Sequence, residues 1–356
     1  MALLRHLAAA IVAGAVIWVA SVRLSAFRDF QLAEIAVYVV AIAGLSILIG
    51  LSGQISLGHG AFMAVGAYTT ALLMTHLNWP WWAVFLASPV VAAVAGAVVG
   101  LAAARLHGPY LAGATLMLAV ALPSLANQFP GVLGGDQGLS VNVFAPAALG
   151  ANFPQTRWLA WICALATLIA LVILANLARS KVGRNWRAIR DDPVAAALAG
   201  LAVGRLRILA FTVSAACAGL AGAMLVVTTS LVSPGSSTLS LSIALLAGAI
   251  LGGLGTLLGA LWGALVIVLV PTYVTDVASS HGLSGGVAAN IPIAAYGVVL
   301  IVVMLLFPQG IQGGLRRLAT QFLPTPPSLG SPGRRPPARD DGQPQRKGSL
   351  HEVPSS

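Results

Sequence analysis

A short run of polar and small residues interrupts the most apolar part of the sequence. The stretch LSGQISLGHGAF occupies residues 51–62, inside a segment from Ile35 to Ala104 that holds no Asp, Glu, Lys or Arg. Its amide, hydroxyl and imidazole groups can hydrogen-bond a polar solute, and its glycines let the backbone bend or pack closely. One interpretation is a tight helix crossing whose hydroxyls bond nearby backbone. The other is an interrupted or re-entrant helix beside a polar path, lined by Gly53, Gln54, Ser56 and His59.

A second interruption rich in glycine lies near the end of the chain. The stretch GAILGGLGTLLGALWGAL occupies residues 248–265, and Gly252 and Gly255 repeat the spacing of Gly50 and Gly53. Paired interruptions in the two halves of a transporter indicate a central pathway. Close packing of helices is the other explanation for such glycines, and two matched positions do not separate the two.

The stretch DDPVAAALAG at 191–200 predicts a short helix that needs a partner. Asp192 suits the N-cap and Pro193 the first helical position, while Gly200 can end the helix. The residues between them are apolar and mostly small. Because a helix of this length is unstable alone in water, it must dock on a surface. We expect that surface to be a groove in a cytoplasmic partner.

The sequence lacks an energy source and a catalytic set of its own. It contains neither the phosphate-binding pattern G-x-x-x-x-G-K-[ST] nor the metal-binding pattern H-E-x-x-H. Its two cysteines, Cys163 and Cys217, lie in apolar runs and predict no disulfide, metal site or cofactor. Ionisable groups within the apolar segments, which ion coupling needs, are almost absent. We therefore expect no enzyme activity, and either a partner supplies the energy or transport is passive.

The elements that must position these residues are membrane-spanning helices. The chain has 356 residues, of which 58% are hydrophobic and only 8% charged, too few to cover the surface of a soluble domain. We predict an all-α polytopic membrane protein of about ten transmembrane helices, two of them interrupted by glycines. The expected spans are 7–22, 32–50, 61–77, 81–104, 110–129, 158–178, 208–231, 238–254, 257–277 and 288–307. The first could instead be a cleavable signal peptide.

Basic residues predict the orientation and the domain boundaries. The inner loop 179–207 holds seven basic residues, and the tail 308–356 holds seven more together with nine prolines. Both segments are expected in the cytoplasm, and the four spans between them make these assignments consistent. The transmembrane domain is predicted to cover 1–307, followed by a disordered basic tail over 308–356. The segment GVLGGDQGLS at 131–140 then lies outside, as a compact turn or as a contact for an external partner.

Six segments, in order along the chain, resemble the LivM-type permeases of branched-chain amino-acid ABC importers. The stretch GLSGQISLGHGAFMAVGAYTTALL at 50–73 is similar to the hallmark segment of that family, and RLHGPYLAGATLMLA at 105–119 follows its pattern R-L-x-G-x-Y-L-A-x-x-T-L. The other four are GGDQGLS at 134–140, the inner loop and following span at 182–224, LGGLGTLLGALWGAL at 251–265 and FPQGIQG at 307–313. The likeness covers roughly residues 30 to 314.

The resemblance implies a permease subunit that works with several partners. These are a second permease, cytoplasmic ATP-binding subunits and a periplasmic binding protein, in the inner membrane of a bacterium. The inner loop would couple to the ATPase, where ABC permeases carry E-A-A-x-x-x-G; Val194 here replaces the glutamate, so an ion pair from that position cannot be assumed. The expected coupling surface consists of Arg190, Asp191, Asp192, Ala195, Ala196 and Gly200.

The resemblance leaves the solute open. The substrates of the family include leucine, isoleucine and valine, and related permeases are associated with urea, short amides and other amino acids. We expect an importer for branched-chain or other hydrophobic amino acids. The alternatives are a urea or amide permease of the same family and a self-contained secondary transporter or channel. A membrane enzyme is disfavoured because no catalytic cluster is present.

Overall fold

Long apolar helices make up most of the chain. The computed structural model describes residues 2–23, 25–106, 108–146, 153–237, 239–280, 285–307 and 310–322. Residues 1–316 form one unit, and of a second unit, 317–356, only 317–322 are described. In chain order the helices are α1 (Ala2–Arg23), α2 (Ala26–Ser52), α3 (His59–Leu77), α4 (Trp81–Ala103), α5 (Pro109–Gln128), α6 (Pro130–Leu133), α7 (Gln155–Arg179), α8 (Lys181–Asp191), α9 (Pro193–Leu198), α10 (Val203–Thr229), α11 (Leu239–Gly252), α12 (Leu257–Ser280), α13 (Gly285–Leu306) and α14 (Gly310–Phe322).

The predicted class of all-α polytopic membrane protein is confirmed, but the count of ten spans is not. Each predicted span falls on a helix, yet seven helices within the described residues are long and apolar enough to cross a membrane: α2, α3, α4, α5, α7, α10 and α12. Helix α11 has 14 residues and is about 21 Å long, short of a hydrocarbon core of about 30 Å. The helix ends at Gly252 because the following Gly253 leaves the helical conformation, although the sequence there is still apolar.

Helices α2 and α10 form the centre of the bundle. In their most apolar stretches, 83% of the α2 residues and 72% of the α10 residues are buried. Helix α10 packs against α2, α3 and α4, while α7 and α12 cover other sides of α2. Glycines permit these close crossings: Gly66 on α3 lies against the backbone of Gly219 on α10, and Gly222 lies against the carbonyl of Met63. Small residues at helix interfaces are the usual means of close packing in membranes.

An ion pair between buried Asp29 and partly exposed Arg157 joins α2 to α7. The Asp29 carboxylate is fully buried, and its Oδ2 lies 3.4 Å from Nε of Arg157. Removing a carboxylate from water is costly unless a cation compensates for it, so this pair ties the start of α2 to the start of α7. Both residues lie just outside the predicted spans 32–50 and 158–178, and no local sequence pattern indicated that they would pair.

Two short connections add to the helices. The loop after α5 contains α6, a 3₁₀ turn over Gly135–Gln137 and the strand β1 (Leu139–Ser140). This strand pairs antiparallel with β2 (Leu231–Val232), Leu139 opposite Val232 and Ser140 opposite Leu231. Segment 131–140 is thus folded compactly, as predicted, whereas its contact with an external partner stays a prediction.

The predicted tail begins with a helix. Gly310–Phe322 forms α14, and Trp262 Nε1 on α12 donates a hydrogen bond of 3.1 Å to Gln312 Oε1. The predicted disorder of the basic tail can therefore apply only after Phe322. Residues 323–356 lie outside the described residues, and the disorder of that part stays a prediction.

The crossing of α3 and α10 can be tested with a matched pair of alanine substitutions. A Cβ at Gly66 would meet the backbone of Gly219, so Gly66→Ala should lower the free energy of unfolding by about 1–3 kcal/mol. At Gly113 on α5 a Cβ would meet no atom within 4 Å, and Gly113→Ala should not destabilise the protein. Denaturant unfolding in mixed micelles measures both. Equal stability of the two variants would contradict the close crossing.

Candidate functional site

The polar stretch at 51–62 forms a break between two helices. Helix α2 ends at Ser52, Gly53 adopts a left-handed φ of 72°, and α3 begins at His59. Nε2 of His59 donates a hydrogen bond of 2.9 Å to the Ala41 carbonyl. Ala41 lies eleven residues before Ser52, which is about 16 Å along the helix. Residues 53–58 therefore run back into the bundle beside the last part of α2, as the interrupted-helix interpretation predicts.

Side chains from distant helices bond the backbone of this break. The amide of Leu57 donates to Thr115 Oγ1 on α5 at 3.0 Å, and the amide of Gly60 donates to Ser242 Oγ on α11 at 3.0 Å. Gly58 lies so close to the Thr115 carbonyl that no side chain would fit. Neither Thr115 nor Ser242 was among the predicted site residues. Thr115 occupies the threonine position of the family pattern quoted for 105–119, whereas Ser242 is one of two serines in its span and carried no sequence signal.

The predicted path residues differ in their surroundings. Gln54, Ser56 and His59 are buried, whereas Gly53 is exposed. Ser56 Oγ accepts a hydrogen bond of 3.4 Å from the Gly58 amide, a local contact that also fits the tight-crossing interpretation. Gln54 Nε2 donates to Ser52 Oγ at 2.9 Å and to the Arg207 carbonyl at 3.3 Å. The role of the four residues in a solute path stays a prediction.

The two glycine-rich interruptions meet directly. Between α11 and α12, Gly253 and Gly255 have φ values of 111° and 76°, a left-handed backbone that glycine adopts without strain. The backbone of Gly255 touches Gly50, where a Cβ would overlap its N and Cα atoms. Close packing therefore explains Gly50 and Gly255. The contact also joins the breaks of the two halves, which sequence spacing alone could not establish.

The short helix predicted in the inner loop is present with its cap. Asp192 Oδ1 accepts hydrogen bonds from the amides of Val194 and Ala195 at 2.8 and 3.0 Å, and α9 follows. Gly200, just after the helix, has a φ of 83°. Val194 and Leu198 are 68% and 86% exposed and lie four residues apart, on one face. The helix thus presents an apolar face that no other described residue covers.

The segment before this helix is itself helical and anchors the loop. Ser180 caps α8 by accepting hydrogen bonds from the amides of Val182 and Gly183. Trp186 is fully buried, and its Nε1 donates a hydrogen bond of 2.9 Å to the Leu206 carbonyl on α10. Sequence patterns did not identify Trp186 as a contact residue, because its partner lies twenty positions further along the chain. Its burial fixes α8 against the start of α10.

Arg190 connects the inner loop to the interruptions. Its Nη1 donates a hydrogen bond of 2.6 Å to the Gly50 carbonyl, and its Nε and Nη2 bond Asp191 Oδ1 at 3.0 and 2.7 Å. Of the predicted coupling residues, Ala196 is buried and the other five are exposed: Arg190, Asp191, Asp192, Ala195 and Gly200. The loop therefore reaches the end of α2 as well as solvent.

A cavity of about 160 Å³ lies where these parts converge. Its lining includes Gly53 and Gln54 from the break together with Arg190 from the inner loop. Ser56 and His59 do not line it. The structure thus brings two of the four predicted path residues together with one of the predicted coupling residues.

Comparison with known proteins gives a consistent picture. Residues 27–308 match the family described as branched-chain amino acid transport system / permease component. The branched-chain amino acid permease protein LivM of Escherichia coli (strain K12) is 32% identical over 65% of this chain and 60% of its own length, so this chain spans less than two thirds of that relative. LivH of the same strain is 26% identical over 78% of this chain and 91% of its length. No solved structure matches the chain significantly.

One relative is named for another solute. The autoinducer 2 import system permease protein LsrC of Klebsiella pneumoniae is 36% identical over 30% of this chain and 34% of its own length. Similarity of sequence in this group therefore does not by itself fix the solute.

Replacing Thr115 tests how the break is held. Thr115→Val removes the acceptor of the partly buried Leu57 amide, which should cost about 1 kcal/mol of unfolding free energy. Hydrogen–deuterium exchange of a peptide spanning residue 57 should become faster. Thr69→Val is the control, because among the described residues Thr69 Oγ1 bonds the Val65 carbonyl of its own helix and no group of the break. Identical exchange at residue 57 in both variants would exclude this role of Thr115.

Proposed function

The chain belongs to the family of branched-chain amino acid transport permease components, and from this premise we propose that it is the membrane-spanning permease subunit of an ATP-driven importer. Its proposed solutes are branched-chain or other hydrophobic amino acids. The proposed location is the inner membrane of a bacterium, with the inner loop and the C-terminus in the cytoplasm. Basic residues concentrated in these two segments support that orientation.

The apolar face of α9 is the observation that supports the ATP-driven class most strongly. Burial of the exposed leucine and valine side chains by a partner would contribute about 1.5–3 kcal/mol of binding free energy for each side chain. A six-residue helix gains little from its own hydrogen bonds, so its cap and fixed position favour a docking role. A groove in a cytoplasmic ATP-binding subunit fits this face. Asp191, Asp192, Ala195 and Gly200 complete the proposed coupling surface with Arg190, whereas Ala196, which was also predicted there, is buried and supports α9 from beneath.

The contacts of the inner loop suggest how its movement would reach the membrane. Closure of the ATP-binding subunits would displace α9 and, with it, α8. The indole of Trp186 would pass this movement to the start of α10, and the guanidinium of Arg190 would pass it to Gly50. Because Gly50 touches Gly255, both interruptions would shift together. In this mechanism, the shift changes which side of the membrane the central path faces.

The remaining partners follow from the family. A second permease subunit is proposed because relatives of two kinds, LivM and LivH, are both named as permease proteins of high-affinity branched-chain amino acid transport systems. A periplasmic binding protein would deliver the solute to the outer face. In such an assembly the binding protein sets much of the selectivity, and a urea or short-amide system is the alternative within the same family.

Reconstitution of the native assembly tests this function. The permease is co-purified with its ATP-binding subunits, second permease and binding protein, placed in liposomes, and assayed with a panel of leucine, isoleucine, valine, alanine and urea. We expect uptake of the branched-chain amino acids only with ATP and binding protein. Flux through the purified chain alone would instead favour a self-contained transporter, and preferential urea uptake would favour the alternative solute.

Gly200 offers a sharper test of coupling. A β-branched residue cannot readily adopt its φ of 83°, whereas asparagine tolerates this conformation. Gly200→Val should shift α9 and reduce uptake per ATP hydrolysed roughly tenfold, while the protein stays inserted. Gly200→Asn is the matched control and should retain coupling, because no neighbouring atom lies within 4 Å of the added Cβ. Undiminished uptake by the valine variant would count against the docking role.

A further inference from the structure

The cavity beside the break is large enough for a small solute. Its volume of about 160 Å³ far exceeds the roughly 10–15 Å³ that one water molecule needs. It lies between the end of α2, the start of α5, the end of α8 and the start of α10. The inner loop packs at this end of the bundle, so a solute here would be close to the proposed cytoplasmic exit.

Two polar groups of the cavity lining lack partners. Gln54 is 5% exposed, and although its amide nitrogen bonds Ser52 and Arg207, its Oε1 accepts no hydrogen bond from any described residue. Arg207 is half-buried, and within the described part of the chain its guanidinium has neither a hydrogen bond nor an ion pair. A buried acceptor without a partner and a partly buried cation line the same cavity, which suits a ligand that carries both a donor and an anion.

The other charged residue of the lining does not meet this need. The guanidinium of Arg190 already bonds the Gly50 carbonyl and the Asp191 carboxylate. No described acidic residue lines the cavity, so the charge of Arg207 is not neutralised there. An anionic ligand group is therefore expected at Arg207 rather than at Arg190.

Aliphatic side chains make up much of the remaining lining. Ile55, Leu106, Leu111 and Ile189 border the same space, and they come from the break, the end of the α4–α5 connection, α5 and α8. These four side chains can bury a branched hydrocarbon group, and the hydroxyl of Ser52, which also lines the cavity, already bonds Leu48 and Gln54.

We propose that this cavity is a binding site for an aliphatic α-amino acid in its zwitterionic form. The carboxylate pairs with the Arg207 guanidinium, the ammonium donates to Gln54 Oε1, and the hydrocarbon side chain packs against the four aliphatic residues. Guanidinium and carboxylate form strong, charge-assisted hydrogen bonds, so Arg207 supplies the main polar contact. This site rests on the proposed function and extends it: the permease itself, and not only the external binding protein, recognises the solute.

The site is tested by equilibrium binding of radiolabelled leucine. The full complex of permease pair and ATP-binding subunits is placed in phosphatidylcholine nanodiscs without the periplasmic binding protein. We expect saturable binding of leucine. Leucinamide, which lacks the carboxylate, and 4-methylpentanoate, which lacks the ammonium, should bind at least about tenfold more weakly. Competition by inorganic phosphate as strong as that by leucine would overturn the proposal in favour of a general anion site.

Variants of this chain locate the binding. Arg207→Gln and Gln54→Leu should each weaken leucine binding at least about tenfold. Arg205→Gln is the matched control, because Arg205 is exposed and does not line the cavity. Assembly of each variant is checked by co-elution with the ATP-binding subunits. Unchanged leucine binding in an assembled Arg207→Gln complex, or an absence of saturable binding in the wild type, would refute the site.

The outcome also separates this site from the proposed function. The wild-type complex could show ATP-dependent uptake and yet bind no leucine without the binding protein. That result would support the proposed importer and contradict the proposed site. Conversely, the complex could bind leucine through Arg207 and yet take up no amino acid with ATP. That result would support the proposed site and contradict the proposed importer function.

Discussion

Peptide groups inside the bundle need hydrogen-bond partners, and this requirement organises the structure around the break. Residues 53–58 leave the helical pattern, so their backbone groups cannot bond one another as in a helix. Hydroxyls on α5 and α11 supply partners for Leu57 and Gly60. These short side chains reach the backbone only if both helices approach closely, which is why a glycine stands at position 58. The arrangement of α3, α5 and α11 therefore depends on a few polar bonds within an apolar interior.

The same part of the molecule links the membrane interior to the inner loop. The carbonyl of Gly50 accepts a hydrogen bond from Arg190, and the backbone of Gly50 touches Gly255. Packed backbones without intervening side chains can deform little against each other, so a displacement at one break reaches the other. The guanidinium holds the loop by a charge-assisted bond, whereas Trp186 holds it through burial as well as a hydrogen bond. Two different kinds of contact thus fix α8 to the bundle.

Sequence patterns predicted the local features well and the distant contacts poorly. Hydropathy located the long helices because an apolar run consists of adjacent residues. Asp192 and Pro193 predicted α9 because a helix cap also involves neighbouring residues. The contact of Leu57 with Thr115 and that of Gly60 with Ser242 span 58 and 182 positions, and no local pattern encodes such pairs. The burial of Trp186 could not be predicted either, because it depends on a contact with α10 and not on neighbouring residues. Similar glycine spacing suggested related breaks, but only the fold shows that they touch.

The contact between Gly60 and Ser242 has a consequence for biosynthesis. The first half of the chain enters the membrane before α11 exists, so the amide of Gly60 must wait for 182 further residues to be translated. At elongation rates of about 5–20 residues per second this delay is about 10–40 s. During that interval, water, lipid headgroups or an insertion factor must satisfy the nascent segment. Helices α2 and α3 are therefore synthesised well before they can reach their final arrangement. The later helix α11 then supplies the hydrogen-bond partner that α3 lacks.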